Sequence, residues 1–331
     1  MSQAGFLISR RSVIAGMAAG SAAAMVAGSA FAQQWPTRPV TMLVPFGPGA
    51  SNDIFTRQLS EVLSRSLGQP FVVENRPGAG GFTGALSVSQ SPADGYRFLE
   101  MPSSVVAFKK VMGVNLDPLV DLTPVAQLAT SPGGMVVPAS LPVSSVKEFI
   151  DFANGRSQDT FYGYVGVGAT QHQMAEKFRK ITGVKLKGVN YQSAAEATTD
   201  LIAGRLHVQF STIAGVRGQL DAGQLKLLAY TNDNFTPDSP KAPTMAEAGI
   251  DGMQGSQVWW GVFGPKGLSK ELTDQMNAAI NKALDDAAFI AVLAKSGAIP
   301  AQKSADGFID TIKQEAHLVD EFVAFTGTTP K

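Results

Sequence analysis

The sequence predicts an α/β protein of two domains, and three observations predict it. Short apolar runs alternate with longer amphipathic ones, the alternation occurs as two successive series, and a block of helices follows the second. Alternation of this kind argues for sheets whose faces are covered by crossover helices.

In the first series, Val40 to Pro45 reads as a buried strand because it is a continuous apolar run. Ile54 to Leu67 reads as a helix with Phe55, Leu59, Val62, Leu63 and Leu67 on one face. Phe71 to Glu74 is a strand, Gly81 to Gln90 a helix and Tyr96 to Met101 a strand, which completes βαβαβ. The second series runs through strand Met135 to Pro138, helix Ser145 to Asn154, strand Phe161 to Val165 and helix Thr170 to Thr182. Strand Lys187 to Tyr191, helix Ala194 to Ala203 and strand His207 to Ser211 follow. Then come the strands Lys226 to Thr231 and Val258 to Phe263, the latter holding Trp259 and Trp260, and two or three helices from Lys270 to Phe325. A helical block in that place packs most simply on the first unit. The chain is therefore expected to cross between domains near Ser131 to Gly134 and again near Gly252 to Gly255, with Trp259 and Trp260 at the hinge. The expected division is 33–132 with 256–331 in one domain and 133–255 in the other.

Residues 1–32 read as an export signal: Arg10-Arg11-Ser12-Val13-Ile14, an Ala/Gly-rich apolar run and Ala30-Phe31-Ala32 give a charged region, an apolar region and a cleavage site. The paired arginines suit a twin-arginine signal, and an ordinary secretory signal is the alternative. Either way the mature protein leaves the cytoplasm. Without the signal the charge is 25 − 27 = −2, so neither nucleic acid nor an anionic membrane is favoured as a partner. The chain has no cysteine, which excludes disulfides and thiolate chemistry. Its three histidines lack metal-ligand spacing; His207 and His317 read as surface positions, and no metal or cofactor is expected.

Two loops carry the functional reading. Val44-Pro45-Phe46-Gly47-Pro48-Gly49-Ala50-Ser51-Asn52-Asp53 runs from strand to helix through small residues. In an open sheet, ligands sit beyond the carboxyl ends of the strands, and the first turn of the next helix offers unpaired N–H groups and the positive dipole end. Ser51 or Asn52 suits a cap and Asp53 suits the dipole. A capped turn without a ligand satisfies the same pattern. The second series repeats the arrangement in Tyr164-Val165-Gly166-Val167-Gly168-Ala169-Thr170, and two cradles facing each other across a cleft make a binding site. Ser103 and Ser104 either add donors at the cleft or cap the next helix, and Asn75-Arg76-Pro77 reads as a structural turn.

With both loops in place, nearly all of the mature chain resembles the extracytoplasmic receptors of tripartite tricarboxylate transporters, the Bug family. The matching stretches are RPVTMLVPFGPGASND, LGQPFVVENRPGAGG followed by DGYRFL, the YxxxxGxGxTxH pattern from Tyr162 to His172, TDLIAGRL, APTMAEAG and WWGVFGPKG. The resemblance implies a two-domain periplasmic binding protein of the second structural class, with two mostly parallel sheets, a hinge and a central ligand cleft. It implies a receptor that is no enzyme, closes as a monomer on a small carboxylate and hands it to an inner-membrane permease. Carried onto this sequence, the ligand residues are Phe46, Pro48, Gly49, Ala50, Ser51, Asn52, Asp53, Ser103, Tyr164, Val165, Gly166, Gly168, Ala169, Thr170, His172, Tyr191, Gln192 and Ser211. Asp53 also reads as a dipole partner only, and His172 as a helix-packing residue.

This chain departs from the resemblance in three places. Gly47 to Asp53 stands where Pro-Pro-Gly-Gly-Gly-Thr-Asp is common. Tyr164 and Val165 replace two small polar residues, and Tyr191-Gln192-Ser193 replaces Tyr-Lys-Gly, losing a cation. A more apolar, less basic pocket favours a dicarboxylate or an aromatic carboxylate over citrate, with Tyr164 and Phe46 flanking a ring. The alternatives are a periplasmic serine-type hydrolase, for which no histidine is assignable to Ser51, and a ligand sensor feeding a signalling partner. Dinucleotide and P-loop fingerprints are both incomplete.

Overall fold

The computed structural model describes residues 35–328 apart from 234, 236–238 and 254–256. The expected signal therefore lies outside the described residues. So do Gln254 and Gly255 of the second expected crossing, Gly252 to Gly255. Arg38 onward forms one compact body.

The first unit is β1 (Val40–Val44), α1 (Ser51–Leu67), β2 (Phe71–Asn75), α2 (Phe82–Ser89) and β3 (Arg97–Pro102), followed by a 3-10 turn at Ser103–Ala107. β1 lies between β2 and β3 and is parallel to both, with Val40 opposite Phe71 and Thr41 opposite Arg97. Right-handed crossovers of this kind cover the strands on both faces, and Val40, Met42, Leu43 and Val44 have no exposed surface.

The second unit is α3 (Val146–Gly155), β5 (Phe161–Val165), α4 (Thr170–Thr182), β6 (Lys187–Tyr191), α5 (Ala194–Ile202), β7 (Val208–Thr212), α6 (Ile213–Asp221) and β8 (Leu225–Tyr230). β5 is parallel to both β6 and β7.

Two long strands join the units. β4 (Leu122–Pro138) runs antiparallel to β9 (Gln257–Pro265) over Leu122 to Pro132, then to β7 and β8 from Gly133 onward. The strand order is β2-β1-β3-β9-β4-β7-β5-β6. Mostly parallel sheets thus describe the βαβαβ parts, whereas every pairing made by β4 and β9 is antiparallel. The sequence reading saw only the last residues of β4, because Pro124, Pro132, Gly133 and Gly134 are turn signals in isolation. A strand this buried also has no alternation to betray it. Gly133 is demanded by space: a Cβ there would stand 2.4 Å from the Thr231 hydroxyl and 2.7 Å from Met174 Cε.

α7 (Lys270–Ala283), α8 (Ala287–Lys295), the short β10 (Ile299–Pro300) paired with β4, and α9 (Ala305–Thr326) complete the chain. α9 packs back on the first unit, as expected. Phe308, Ile312, Val319 and Phe322 are buried in one core with Leu43, Leu99, Met101, Val111, Trp259 and Phe263. A separate core around Phe149, Tyr162, Phe178 and Phe210 serves the second unit. Trp259 and Trp260 belong to the first unit's interior: Trp259 stands edge-on to Phe308, and Trp260 edge-on to Phe55. Both rings sit on β9, opposite Thr130 and Ala129 of β4. Among the described residues no helix is long and apolar enough to cross a membrane.

Candidate functional site

The two Gly-rich loops end at helices of an unusual kind for this protein. Six of the nine described helices begin with a Ser, Thr or Asp whose side chain accepts a first-turn N–H: Ser145, Ser193, Thr212, Ser269, Asp286 and Ser304. α1 begins at Ala50 and α4 at Ala169, neither with a side-chain cap. Ser51 and Asn52, expected as caps, lie inside the helix. The first-turn amides of Ser51, Asn52, Thr170 and Gln171 are therefore left to another acceptor.

Around α1 the loop is held by Asp53. Its Oδ2 accepts the Gly49 N–H at 3.0 Å and Arg57 Nε at 2.9 Å, and its Oδ1 accepts Asn75 Nδ2 at 2.8 Å. Asn75 also donates to the Phe46 carbonyl at 3.1 Å. Burial pushes the Asp53 carboxyl up, but the bonds from Arg57, Gly49 and Asn75 outweigh it and hold the group below its ordinary value. Asp53 is thus an ionised brace for the loop. Asn52 points inward, its Nδ2 at 3.0 and 2.9 Å from the two carboxyl oxygens of Glu100.

Around α4 the brace is His172. Its Nδ1 accepts the Gly168 N–H at 3.1 Å, and its ring stacks on Tyr164 at 3.9 Å and meets Phe322 of α9 edge-on at 5.0 Å. Burial takes its pKa down to about 4, so the imidazole is neutral and able to accept at Nδ1. The Gly166 N–H goes to Asn190 Oδ1 at 3.1 Å. Gly49, Gly166 and Gly168 were expected to offer their amides to a ligand; all three have intramolecular acceptors. Donors remain at the helix starts that the glycines shape.

The two units meet at this place. Ser103 Oγ, just after β3, is 3.1 Å from Thr170 Oγ1, and both residues are buried. Thr170 also bonds the carboxyl group of Glu315 on α9. A Cβ on Gly168 would stand 2.4 Å from Val111 Cγ1 of the first unit. The structure therefore joins Ser103, Gly168 and Thr170 across the two units with Tyr164 and His172 stacked beside them, and holds Asn52 and Asp53 in the first loop's own network with Glu100, Arg57 and Asn75.

Other expected residues line the rim or turn away. Phe46 is half-buried, and Pro48 and Ala50 are exposed on the first loop. Val165, half-buried, lies opposite Tyr191 in the sheet. The Tyr191 hydroxyl donates to Asp200 at 2.8 Å, and burial, with that carboxylate, raises its pKa to about 12. Gln192 is exposed, and its N–H donates to Glu196. Ser211 lies in β7 opposite Gly134, its hydroxyl facing the start of α6. His207, expected at the surface, is half-buried and accepts the Phe161 N–H.

Sequence reasoning missed Glu100, Val111, Asn190, Glu315 and Phe322. Two carried a signal: Glu100 interrupts an apolar strand, and Glu315 falls on the apolar stripe Phe308, Ile312, Val319, Phe322 at helical spacing. Among the described residues no cluster of His, Cys, Asp and Glu fits a metal ion.

Comparisons with known proteins agree on one lineage. The model of the family described as "Tripartite tricarboxylate transporter family receptor" matches residues 55–323. Protein BugT of Bordetella pertussis is 33% identical over 307 residues, 91% of this chain and 94% of its own. The solved structure of R. palustris Rpa4515 with adipate is similar with a TM-score of 0.78 and 33% identity, covering 90% of this chain and 100% of that one. MatC (Rpa3494) from Rhodopseudomonas palustris with bound malate has a TM-score of 0.74 and 26% identity, covering 87% and 100%.

Proposed function

The chain belongs to the tripartite tricarboxylate transporter receptor family, and from that premise we propose that it is a periplasmic receptor that captures a small carboxylate between two lobes and delivers it to a membrane permease. One observation carries the reading for this chain: two helices without side-chain caps, α1 and α4, start on opposite lobes after Gly-rich loops, α4 at the Ser103–Thr170 contact between the lobes. Each start presents N–H groups and a positive dipole end, which hold an anion without a basic side chain. The relatives whose structures name adipate and malate carry small carboxylates of this kind.

The lobes are 33–132 with 256–331, and 133–255. The change of β4's partners between Pro132 and Gly133 supports the first boundary. In this reading an open form admits the ligand, and rotation about β4 and β9 closes the second lobe over it. The contacts of Thr170 with Ser103, Gly168 with Val111 and His172 with Phe322 are those of a closed form. The mature receptor is exported by the signal at residues 1–32, works as a monomer and performs no catalysis.

The half-buried ring of Tyr164, flat against neutral His172, offers an aromatic platform beside α4. Phe46 and exposed Val167 add apolar surface near the two loops. An aromatic monocarboxylate therefore suits the cleft as well as an aliphatic dicarboxylate does. Tyr164→Ala is expected to weaken benzoate about tenfold, roughly 1.4 kcal/mol, while changing adipate less than about twofold; calorimetric titration of both ligands reads the difference.

A thermal-shift screen of residues 33–331 against mono-, di- and tricarboxylates, aromatic ones included, tests the function itself. A ligand at 100 times its dissociation constant adds about 2.7 kcal/mol to stability. A saturable shift without consumption of the compound is the expected result. No shift with any carboxylate, or turnover of one, defeats the reading.

A further inference from the structure

The uncapped starts of α1 and α4 each have a buried carboxyl group of the protein's own beside them. Glu100, in β3, has no exposed surface, and both its oxygens accept the Asn52 side chain from the first turn of α1. Glu315, in α9, is 3% exposed and is bonded by Thr170, the first residue of α4. The two residues are far apart in sequence, come from different elements and occupy the same relation to their helix. Asn52 is itself one of the departures in the first loop.

We propose that Glu100 and Glu315 are proton-holding members of the ligand site, each a neutral acid whenever a ligand carboxylate occupies the helix start beside it, so that anion and proton are taken up together. The inference rests on the receptor reading above. A helix start that faces a ligand carboxylate and an ionised glutamate at once holds two like charges beside a buried group, and such pairs cannot both stay ionised. A neutral acid removes the repulsion and adds an O–H donor.

Among the described residues, the charged groups nearest each glutamate are already matched. Around Glu100, Asp53 is matched with Arg57 and Arg97 with Glu74, while the β9 residue opposite is Val262. Around Glu315, the α4 groups are neutral His172, Glu176 matched with Arg179, and Lys177 near Glu321. On its own helix, Asp320 is matched with Lys110, and Glu321 also faces His317. Burial raises both carboxyls to about 8, outweighing the bonds from Asn52 and Thr170, which act the other way. The proton is therefore in place at neutral pH and is lost in mild alkali.

For the sign, a carboxyl whose folded pKa is raised contributes stability fully present below its unfolded value near 4.5 and lost as pH rises through about 8. A bound anion raises both pKa values further. Ligand affinity should thus fall between pH 8 and 10, by up to about tenfold per unit for each ionised group.

The test is calorimetric titration of the mature protein with adipate and with benzoate from pH 6 to 10, in two buffers of different ionisation enthalpy. At pH 8 the expected uptake is about one proton per ligand, half from each carboxyl group. In Glu100→Gln with Glu315→Gln the uptake vanishes and the affinity no longer falls in alkali. His317→Gln, an exposed control, keeps the parent profile. Binding without proton uptake in the parent protein overturns the inference and leaves the receptor standing. Uptake that survives in the double variant also overturns it. Absence of binding by any carboxylate overturns both readings. The parent protein's own proton count decides the matter even where a variant fails to fold.

Discussion

Gly168→Val abolishes ligand binding, by more than about 100-fold or 2.7 kcal/mol, while leaving the far-ultraviolet circular dichroism unchanged. Two independent constraints meet at this residue. Its φ of +74° lies in the left-handed region, where a β-branched side chain is strained. The added Cβ would also stand 2.4 Å from Val111 Cγ1 and 2.9 Å from Val111 Cγ2, across the contact between lobes. Each lobe keeps its own core, Leu43 to Phe322 in one and Met135 to Met253 in the other, so the protein folds but closes badly. Gly168→Ala sits between parent and valine, and Val111→Ala added to it recovers part of the loss by making room. Calorimetric titration of the single and double variants reads the coupling. Parental affinity in the valine variant would remove the lobe contact from the grip.

Asp53→Ala takes the first loop apart. The substitution removes the acceptor for Gly49, Arg57 and Asn75 together, and releases the Phe46 carbonyl from its tie through Asn75. Part-exposed hydrogen bonds to an ionised group contribute about 1 kcal/mol each, so the melting temperature drops, and affinity falls more than about 30-fold because the amides of α1 are no longer aimed. Guanidinium is half-exposed at Arg57, and its pairing adds little beyond this. The folded pKa of Asp53 is depressed, so its contribution is present above the ordinary value of 3.8 and is lost as pH falls through the lower folded one. Affinity should hold down to about pH 4 in the parent. Parental affinity and melting temperature in Asp53→Ala would reduce Asp53 to a dipole partner.

The βαβαβ units were legible because buried parallel strands are short continuous apolar runs and their helices show one-sided stripes. Strand Phe161–Val165, helix Thr170–Thr182 and strand Lys187–Tyr191 agree with the sequence reading to the residue. β4 was not legible beyond its end, since Pro and Gly within it spoke for turns, and only its pairing with β9, β7 and β8 makes a seventeen-residue strand of it. The loops were found by composition. Their caps were misassigned: Ser51 and Asn52 have the right side chains, but the helix begins one residue earlier at Ala50, leaving Asn52 to reach Glu100.

By itself the sequence determined the family, the two α/β units and the two Gly-rich loops, because hydrophobic periodicity and the small residues of a tight turn are local properties. The tertiary structure alone decided which donors those loops keep. Gly49, Gly166 and Gly168 spend their amides on Asp53, Asn190 and His172, and two carboxyl groups arrive beside the helix starts from β3 and α9. Asp53 and His172 lie only four residues from the glycines they hold, but Asn190, Glu100 and Glu315 arrive from distant parts of the chain, and burial, which sets whether a carboxyl holds its proton, exists only once the chain has folded around it.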